Sequence, residues 1–328
     1  GASCVITDQA HRGVMEEIFP ASSILLVEEL MISQEDQSPL AAIRASMIDT
    51  DPLYVNFTSG STGLPKGVLV SHRSVLDFID VFADTFSFTS NDRIGNQAPF
   101  DFDVSVKDIY GALKAQATLV IIPRRLFSRP KELLDFLCEH KVTALIWATS
   151  AFHLVANSGV LEKKAPSCLR TAILGGEALQ AKQLNRWRAA LPQVQYINLY
   201  GPTEVTVDCT WYPIQRNFAD HERIPIGTAC ANKEVFLLDE TLQPVPPGPA
   251  WGDLRARHGP GQGVLRPVGQ DSRRFHPDPR NPNYPDSIYR TGDLAVMDED
   301  GLLTFLTRRD GQIKHMVTAS SWGRSKPP

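Results

Sequence analysis

The chain has 328 residues, 42% of them hydrophobic, which predicts a globular protein of one or two domains. A net charge of −4 and an isoelectric point near 6.1 give no electrostatic support for nucleic-acid binding. No apolar run approaches the roughly 18 residues that span a bilayer, and five scattered cysteines without a C-x-x-C pair argue against a disulfide framework and a zinc site. We therefore expect a cytoplasmic protein with neither a nucleic-acid nor a membrane partner.

The first fifty residues predict short elements that lead to a central loop. Small residues at the start run into a predicted strand that ends at Thr7, and residues 23–27 predict a second strand. Residues 39–47 predict a short helix, and residues 49–52 predict a turn.

Residues 54–72, YVNFTSGSTGLPKGVLVSH, predict two strands joined by a loop rich in glycine and hydroxyl side chains. Glycines let the backbone approach an anion, N–H groups and hydroxyls donate to it, and Lys66 supplies positive charge. The loop therefore indicates a phosphate site. It does not match the GxxxxGK[ST] P-loop, and a strand rather than a helix is predicted after Lys66. A flexible Ser/Gly linker is the alternative interpretation.

Residues 74–86 and the second half of residues 98–113 carry apolar side chains at helical spacing. Two acidic residues, Asp101 and Asp103, precede the second helix. Either carboxylate is a candidate cap for that helix, and either is also a candidate binding group at its first turn.

From residue 115 onward, predicted strands alternate with predicted helices. The predicted strands are 118–122, 144–147, 170–174 and 194–199, and the predicted helices are 130–140 and 179–191. This alternation predicts a layered α/β fold with a largely parallel sheet, in which ligands bind beyond the carboxyl ends of the strands. Two of these strands end in the turns 175–177 and 200–204, which alone are weak evidence for a site.

The loop sequence TSGSTGLPKG, residues 58–67, resembles the phosphate-loop signature of the adenylate-forming (AMP-binding) superfamily. Acyl-CoA synthetases, luciferases and the adenylation domains of nonribosomal peptide synthetases belong to it. Residues 198–204, 289–294 and 308–314 resemble three further motifs in the family's order, although Thr307 replaces a usual glycine. The resemblance covers nearly the whole chain.

The resemblance implies the layered αβα large domain of this family with mostly parallel sheets. It places this adenylation core at residues 1–309 and the hinge to a C-terminal lid at residues 310–328. It also implies that the family's first hundred or so residues and nearly all of the lid are missing from the sequence.

The resemblance further implies ATP and Mg²⁺ as cofactors. Lys66, Thr203 and Glu204 are the implied catalytic residues, with Thr203 at the α-phosphate and Glu204 as the metal ligand. Tyr200 would stack near the adenine, and Asp293 would accept the ribose hydroxyls. The implied nucleotide-binding residues are Thr58, Ser59, Gly60, Ser61, Thr62, Gly63, Lys66, Gly175, Gly176, Glu177, Asn198, Tyr200, Gly201, Thr203, Asp293 and Arg308.

Residues 102–106, FDVSV, resemble the adenylation-domain motif in which an aspartate holds the α-ammonium of an amino acid. That role falls on Asp103, and a fatty-acyl substrate would not need it. The implied pocket around Asp103 consists of Val104, Lys107, Trp147, Ala172, Leu174, Leu199, Val207 and Asp208. Most of these residues are apolar, as is usual for a ligand pocket. Lys107 and Asp208 either pair with each other or favour a polar or charged substrate side chain.

These resemblances imply a ligase that condenses an amino acid with ATP to give aminoacyl-AMP and pyrophosphate. The activated amino acid would then pass to a carrier-protein thiol on a phosphopantetheine arm. The alternatives are an acyl-CoA synthetase-type ligase and a non-catalytic nucleotide-binding protein.

Two stretches depart from the family's pattern. Residues 251–275 are rich in Gly, Arg and Pro and show no strand or helix periodicity, and residues 317–328 read VTASSWGRSKPP. A one-base shift of a permitted coding restores a family-like sequence in both, so we hypothesise that the reading frame is lost near Ala250, regained near Pro277 and lost again after Met316. A divergent Pro/Gly loop is the alternative. The resemblance implies that the family's lid carries a lysine that reaches the substrate carboxylate and the α-phosphate. Because residues after Lys314 do not follow the family's lid pattern, we expect weakened adenylation.

Overall fold

The computed structural model describes residues 3–34, 37–59, 65–258, 275–281, 283 and 287–309. Two compact units make up the chain, Gly1–Ile48 and Asp49–Pro328. The boundary predicted between residues 309 and 310 stays a prediction, because residues 310–328 lie outside the described residues. Within the described ranges, no helix is long and apolar enough to cross a bilayer.

The first unit contains short strands and helices. They are β1 (Val5–Thr7), α1 (Arg12–Glu16), β2 (Ile24–Leu26), α2 (Val27–Ile32) and α3 (Gln37–Ser46). Strands β1 and β2 pair in parallel. Both predicted strands of this segment are therefore confirmed, and α3 confirms the predicted helix.

The second unit holds the remaining elements. Its helices are α4 (His72–Thr85), α5 (Ser105–Ala115), α6 (Pro130–Glu139), α7 (Thr149–Asn157) and α8 (Ala181–Ala190). Its strands are β3 (Pro52–Ser59), β4 (Pro65–Ser71), β5 (Arg93–Asn96), β6 (Thr118–Ile121), β7 (Ala144–Ala148), β8 (Thr171–Gly175), β9 (Gln195–Tyr200), β10 (Thr210–Pro213), β11 (Thr228–Ala229), β12 (Lys233–Leu238), β13 (Gly248–His258), β14 (Phe275–Pro277), β15 (Ser287–Met297) and β16 (Leu303–Arg308). Each element predicted between residues 54 and 199 overlaps an observed element of the same kind.

A seven-stranded sheet in the order β11-β10-β9-β8-β7-β5-β6 forms the centre of this unit. Strands β9, β8, β7, β5 and β6 are parallel to one another. Strand β10 pairs antiparallel with β9 on one side and with β11 on the other. One hydrophobic cluster joins the sheet to α6, α7 and α8, and a second joins it to α4 and α5. The predicted layered αβα fold with a mostly parallel central sheet is therefore confirmed.

Local sequence explains where helix α4 begins, whereas α5 begins without a side-chain cap. The Ser71 side chain accepts a hydrogen bond from the Ser74 N–H at 3.2 Å and so caps α4. Val75, Phe78 and Phe82 then follow at helical spacing and are buried against the sheet. The start of α5 has no side-chain cap, so the interpretation of Asp101 or Asp103 as its cap is wrong.

The second sheet is antiparallel, in the order β12-β13-β15-β14 with β16 paired to β15, so it differs from the predicted parallel arrangement. It also corrects the interpretation of residues 251–275, because residues 251–258 belong to β13. Leu254 and Ala256 are buried, and a Cβ on Gly252 would lie 2.8 Å from a Val245 methyl group. Pairing with β12 and β15 on both sides overrides the weak strand propensity of this stretch. The loss of reading frame near Ala250 stays a hypothesis.

Asp92 anchors the amino ends of three sheet strands. Its Oδ1 accepts hydrogen bonds from Arg170 Nε at 2.6 Å and Thr143 Oγ1 at 2.8 Å. Its Oδ2 accepts from Arg170 Nη2 at 2.7 Å and from the Thr89 N–H at 2.8 Å. Burial opposes ionisation of Asp92, but these hydrogen bonds outweigh it and lower its pKa to about 2.

We predict that Asp92→Asn lowers the free energy of unfolding at pH 7 by about 2 kcal/mol, because buried hydrogen bonds to a charged group are lost. The folded-state pKa lies below the usual aspartate pKa of 3.8, so this stabilisation is complete above pH 3.8 and disappears as the pH falls towards 2. Urea unfolding of wild type and variant at several pH values measures the difference. The exposed Asp300→Asn is the control, and a difference that does not depend on pH would contradict the assignment.

Candidate functional site

The predicted site residues lie around the carboxyl ends of β8 and β9. The first turn before α5 contributes Asp103, and strand β15 of the smaller sheet contributes Asp293. A hydrogen bond from the Tyr200 hydroxyl to Asp293 Oδ2, at 2.5 Å, links the two sheets at this point. The geometry agrees with the rule that ligands of open α/β sheets bind beyond the carboxyl strand ends.

Asp103 is a half-buried carboxylate whose negative charge a nearby cation would stabilise. Burial raises its pKa, while a hydrogen bond from the Thr203 side chain and the charge of Lys107 act in the opposite direction. Asp208 adds like-charge repulsion. An ammonium group next to Asp103 would supply the countercharge that this environment lacks.

Lys107 and Asp208 pair with each other. Lys107 Nζ lies 2.8 Å from Asp208 Oδ2, and the two side chains are only 3% and 5% exposed. The pairing alternative stated for these residues is therefore confirmed. Neighbouring Asp108 does not compete for Lys107, because burial raises the pKa of Asp108 to about 8 and keeps it mostly protonated at pH 7. Asn96 Nδ2 donates to Asp108 Oδ2 at 2.8 Å.

The chain between β9 and β10 folds into a tight, strained turn that carries Thr203, Glu204 and Asp208. Thr206 and Val207 have positive φ angles of 62° and 65°, which are rare for β-branched residues. Gly201 is needed here, because a Cβ at this position would lie 2.4 Å from Asp208 Cα and 2.5 Å from the Val207 carbonyl oxygen. The turn thereby fixes Asp208 directly beneath the end of β9.

Asp293 is held in place by groups from both sheets. Besides the Tyr200 hydroxyl, Arg308 Nη1 lies 3.3 Å from Asp293 Oδ1. The Thr291 hydroxyl oxygen accepts from the Asp293 N–H at 3.0 Å and its own proton goes to the Leu254 carbonyl at 2.9 Å. Tyr200, Asp293 and Arg308, predicted from three separate motifs, are therefore brought together.

The Gly175–Gly176–Glu177 turn after β8 is fastened by a residue that the sequence did not single out. The Thr149 hydroxyl is within hydrogen-bond distance of the Gly175 carbonyl, at 3.2 Å, and of the Glu177 carbonyl, at 3.1 Å. Gly176 has φ of 95°, a conformation that favours glycine. Thr149 begins α7, a helix that the sequence analysis missed.

Tyr54 is a second residue without a predicted role. Its hydroxyl is buried and has no hydrogen-bond partner among the described residues. Burial raises the pKa of Tyr54, and the nearby charge of Asp103 raises it further. The Tyr54 hydroxyl therefore lies close enough to Asp103 to be affected by its charge. The sequence signal that could have indicated Tyr54 is a tyrosine in the predicted strand before the loop.

The predicted amino-acid pocket is only partly brought together. Val104, Leu199 and Val207 pack in the hydrophobic cluster on the α4–α5 face, the side of Asp103, Lys107 and Asp208. In contrast, the cluster on the α6–α8 face contains three predicted pocket residues, Trp147, Ala172 and Leu174. Alternation of side chains along β7 and β8 places these three on the opposite sheet face.

The nucleotide side of the site is described in part. Asn198 Nδ2 donates to the Pro225 carbonyl at 2.8 Å, which orients the end of β9. Thr58, Ser59 and Lys66 lie in β3 and β4, which confirms a strand on each side of the loop. The loop residues Gly60, Ser61, Thr62 and Gly63 lie outside the described residues, as do the side chains of Thr58, Ser59 and Lys66.

Glu204 is the candidate metal ligand. It is 8% exposed and lies in a short 3-10 helix, Thr203–Val205. The described residues contain no group of three His, Cys, Asp or Glu side chains that would form a protein-only metal site. A single carboxylate fits Mg²⁺, which commonly binds through one or two carboxylates together with substrate phosphates and water.

The model of the family described as "AMP-binding enzyme" matches residues 1–265, most of the chain. The chain belongs to the AMP-binding enzyme family. The match continues through β13, in agreement with its pairing to β12 and β15.

Relatives in the AMP-binding family include large synthetases. The chain is 34% identical over 293 residues to tyrocidine synthase 3 of Brevibacillus parabrevis, a match that covers 88% of this chain and 4% of that protein. It is 31% identical over 315 residues to L-proline--[L-prolyl-carrier protein] ligase of Pseudomonas fluorescens, covering 95% of this chain and 56% of the ligase. The chain thus spans only part of each relative.

A solved structure of the nonribosomal peptide synthetase FmoA3 with alpha-methyl-L-serine-AMP bound has a TM-score of 0.80 to this chain. It is 27% identical, and the match covers 94% of this chain and 34% of FmoA3. The structure of IdnL1 has a TM-score of 0.74 at 30% identity, covering 82% of this chain and 54% of IdnL1.

We predict that Gly201→Ala destabilises the protein by about 3 kcal/mol or more, because the added methyl group meets backbone atoms that have no room to move. Urea unfolding measures the change. Gly13→Ala is the matched control, since a Cβ on Gly13 meets nothing within 4 Å. Equal stability of the two variants would show that the turn after β9 is not packed as described.

Proposed function

We propose that this chain activates an amino acid with ATP, giving aminoacyl-AMP and pyrophosphate. The observation that carries the proposal is the Asp103 carboxylate, whose pKa is raised by burial and whose environment favours a cationic partner. An α-ammonium group is such a partner, whereas a fatty-acyl substrate has none. The names of the relatives, which include peptide synthetases and a prolyl-carrier protein ligase, support the same class of substrate.

In this proposal the chain binds its two substrates from opposite sides of the turn after β9. Asp103 holds the α-ammonium, and its partner Thr203 lies between the amino acid and the nucleotide. Asp293, positioned by Tyr200 and Arg308, accepts the ribose hydroxyls. A Cβ on Gly176 would meet nothing within 4 Å, so the backbone at this turn leaves room for the nucleotide. The 58–66 loop and Lys66 would bind the phosphates of ATP.

The reaction needs positioning and charge neutralisation more than covalent help. An oxygen of the amino-acid carboxylate attacks the α-phosphorus, and the bond from that phosphorus to the pyrophosphate oxygen breaks. Thr203 would donate a hydrogen bond to the α-phosphate, and Lys66 would offset the charge on the departing pyrophosphate. Glu204 would hold Mg²⁺, which supplies further neutralisation of phosphate charge.

The Lys107–Asp208 pair bears on which amino acid is activated. Because the two charges are buried and 2.8 Å apart, they neutralise each other. The pocket beneath Asp103 therefore presents no free charge to the substrate side chain. We infer an uncharged side chain.

The alternatives remain an acyl-CoA synthetase-type ligase and a non-catalytic nucleotide-binding protein. Transfer of the activated amino acid to a carrier protein through a phosphopantetheine thiol, and a cytoplasmic location, are part of the proposal and stay predictions. Weak activity of the 328-residue chain, expected from the departure after Met316, also stays a prediction.

We predict amino-acid-dependent exchange of radiolabelled pyrophosphate into ATP. Asp103→Asn should raise the KM for the amino acid by about tenfold to a hundredfold, the value of a lost hydrogen bond between charged groups. The exposed neighbour Asp101→Asn is the matched control and should behave as wild type. Exchange that depends only on fatty or aryl acids would overturn the proposal in favour of an acyl ligase. ATP binding without any exchange would favour the non-catalytic alternative.

A second prediction concerns the side chain of the substrate. Lys107→Met leaves Asp208 as an unpaired buried anion and should shift exchange towards amino acids with cationic side chains. Asp208→Asn leaves Lys107 unpaired and should shift it towards acidic ones. The double variant removes both charges and should restore a preference for uncharged side chains. Exchange over all twenty amino acids measures these preferences. The same profile in wild type, both single variants and the double variant would show that the pair does not determine which amino acid is activated.

A further inference from the structure

Three arginines surround one buried carboxylate in the smaller sheet. Asp253 Oδ2 lies 2.8 Å from Arg290 Nη2 and 3.4 Å from Arg255 Nη2. Asp253 Oδ1 lies 3.3 Å from Arg309 Nε. The only other acid bonded to the cluster within the described residues is Glu240, which is 3.4 Å from Arg309 Nη2 and has a side chain 76% exposed. Positive charge therefore exceeds negative charge at this place.

Arg255 is the least compensated member of this cluster. Its side chain is 2% exposed, and its contact with Asp253 is long. In the part of the chain that the structure describes, its buried Nε has no hydrogen-bond partner. Burial and the charge of Arg290 both lower the pKa of Arg255, and the charge of Asp253 acts in the opposite direction. A buried charge without adequate pairing is costly unless a ligand supplies the partner.

The cluster lies on the sheet face opposite to the candidate nucleotide site. Arg255 and Arg290 are directly opposed in the β13–β15 ladder. Along these strands, the intervening residues Leu254, Ala256 and Tyr289 belong to the hydrophobic clusters on the other face. Side chains alternate between faces, so the arginines are separated from Tyr200 and Asp293 by the sheet. Arg290 and Arg309 have side chains 35% and 39% exposed and provide access from solvent.

We propose that Arg255, Arg290 and Arg309 form a binding site for a phosphate group. Guanidinium groups donate paired N–H bonds that match the oxygens of a phosphate, and the site places three guanidinium groups around one carboxylate. The exposed Arg290 and Arg309 contact the anion, and the buried charge of Arg255 adds to the local positive potential. Inorganic phosphate and the pyrophosphate released by the proposed reaction share this chemistry.

Isothermal titration calorimetry of the full 328-residue chain with inorganic phosphate, and separately with pyrophosphate, tests the proposal. Saturating AMP is present throughout to occupy the candidate nucleotide site. We expect saturable binding to wild type and at least tenfold weaker binding to Arg309→Gln and Arg255→Met. Arg129→Gln, which removes an exposed arginine paired only with Glu132, is the control and should bind as wild type does.

Thermal unfolding adds a readout that separates ligand binding from a purely structural role. If Arg255 serves the anion, Arg255→Met should unfold at a higher temperature than wild type without phosphate, and phosphate should no longer raise that temperature. A lower unfolding temperature of Arg255→Met, together with unchanged phosphate binding, would overturn the proposal. Absence of saturable binding to wild type, or equal binding to all variants, would also overturn it.

The two anions and AMP separate the remaining possibilities. Pyrophosphate binding tighter than phosphate binding, and equally sensitive to Arg309→Gln, would support the reaction product as the ligand. Phosphate binding at least as tight would support the free ion. AMP binding to wild type is measured in a separate titration without phosphate, and its absence would contradict the proposed function while leaving the phosphate result valid.

Discussion

The buried ion pair between Lys107 and Asp208 sets the electrostatic character of the candidate pocket. The two residues are 101 positions apart, and neither is stable in this environment without the other, since an unpaired buried charge costs several kcal/mol. Helix α5 and the turn after β9 must therefore hold a fixed mutual position. The same constraint places Asp103, one helical turn before Lys107, over the carboxyl ends of the central strands.

The turn after β9, which carries Asp208, has a strained backbone. The turn that follows β9 accepts positive φ angles at Thr206 and Val207, and it leaves no room for a side chain at Gly201. Strain of this kind persists only where surrounding packing enforces it. Here the cost is offset by the burial of Val205 and Val207 and by the bond from the Cys209 N–H to the Tyr200 carbonyl at 2.8 Å. The strained segment carries Thr203, Glu204 and Asp208, three residues of the candidate site.

Much of the fold was predictable because the parallel strands are buried on both faces and read as apolar runs, as residues 144–147 and 170–174 do. Strand β13 was missed because Gly252, Asp253 and Arg255 weaken its pattern, and only pairing with β12 and β15 makes it a strand. Motif resemblance predicted Tyr200 and Asp293 as site residues, and a hydrogen bond joins their side chains in the structure. No motif indicated Thr149, which acts through backbone carbonyls far away in sequence.

Spacing in the sequence left the relation between Lys107 and Asp208 open, because a contact across 101 residues depends on the packed fold. The resemblance also implied a pocket that included Trp147, Ala172 and Leu174, yet these side chains lie in the cluster on the other sheet face. Side-chain alternation along a strand depends on exact register, and a shift of one residue moves a side chain from one face to the other. The predicted pocket residues are therefore divided between the two faces of the central sheet.

The central claim is that Asp103 recognises the α-ammonium group of an amino acid. Its most direct test is the affinity of the protein for two non-hydrolysable sulfamoyl analogues of an acyl-adenylate, identical except that one lacks the α-amino group. The account predicts that loss of the amino group weakens binding by about tenfold to a hundredfold, the value of one hydrogen bond between charged groups. Equal dissociation constants for the two analogues would contradict it.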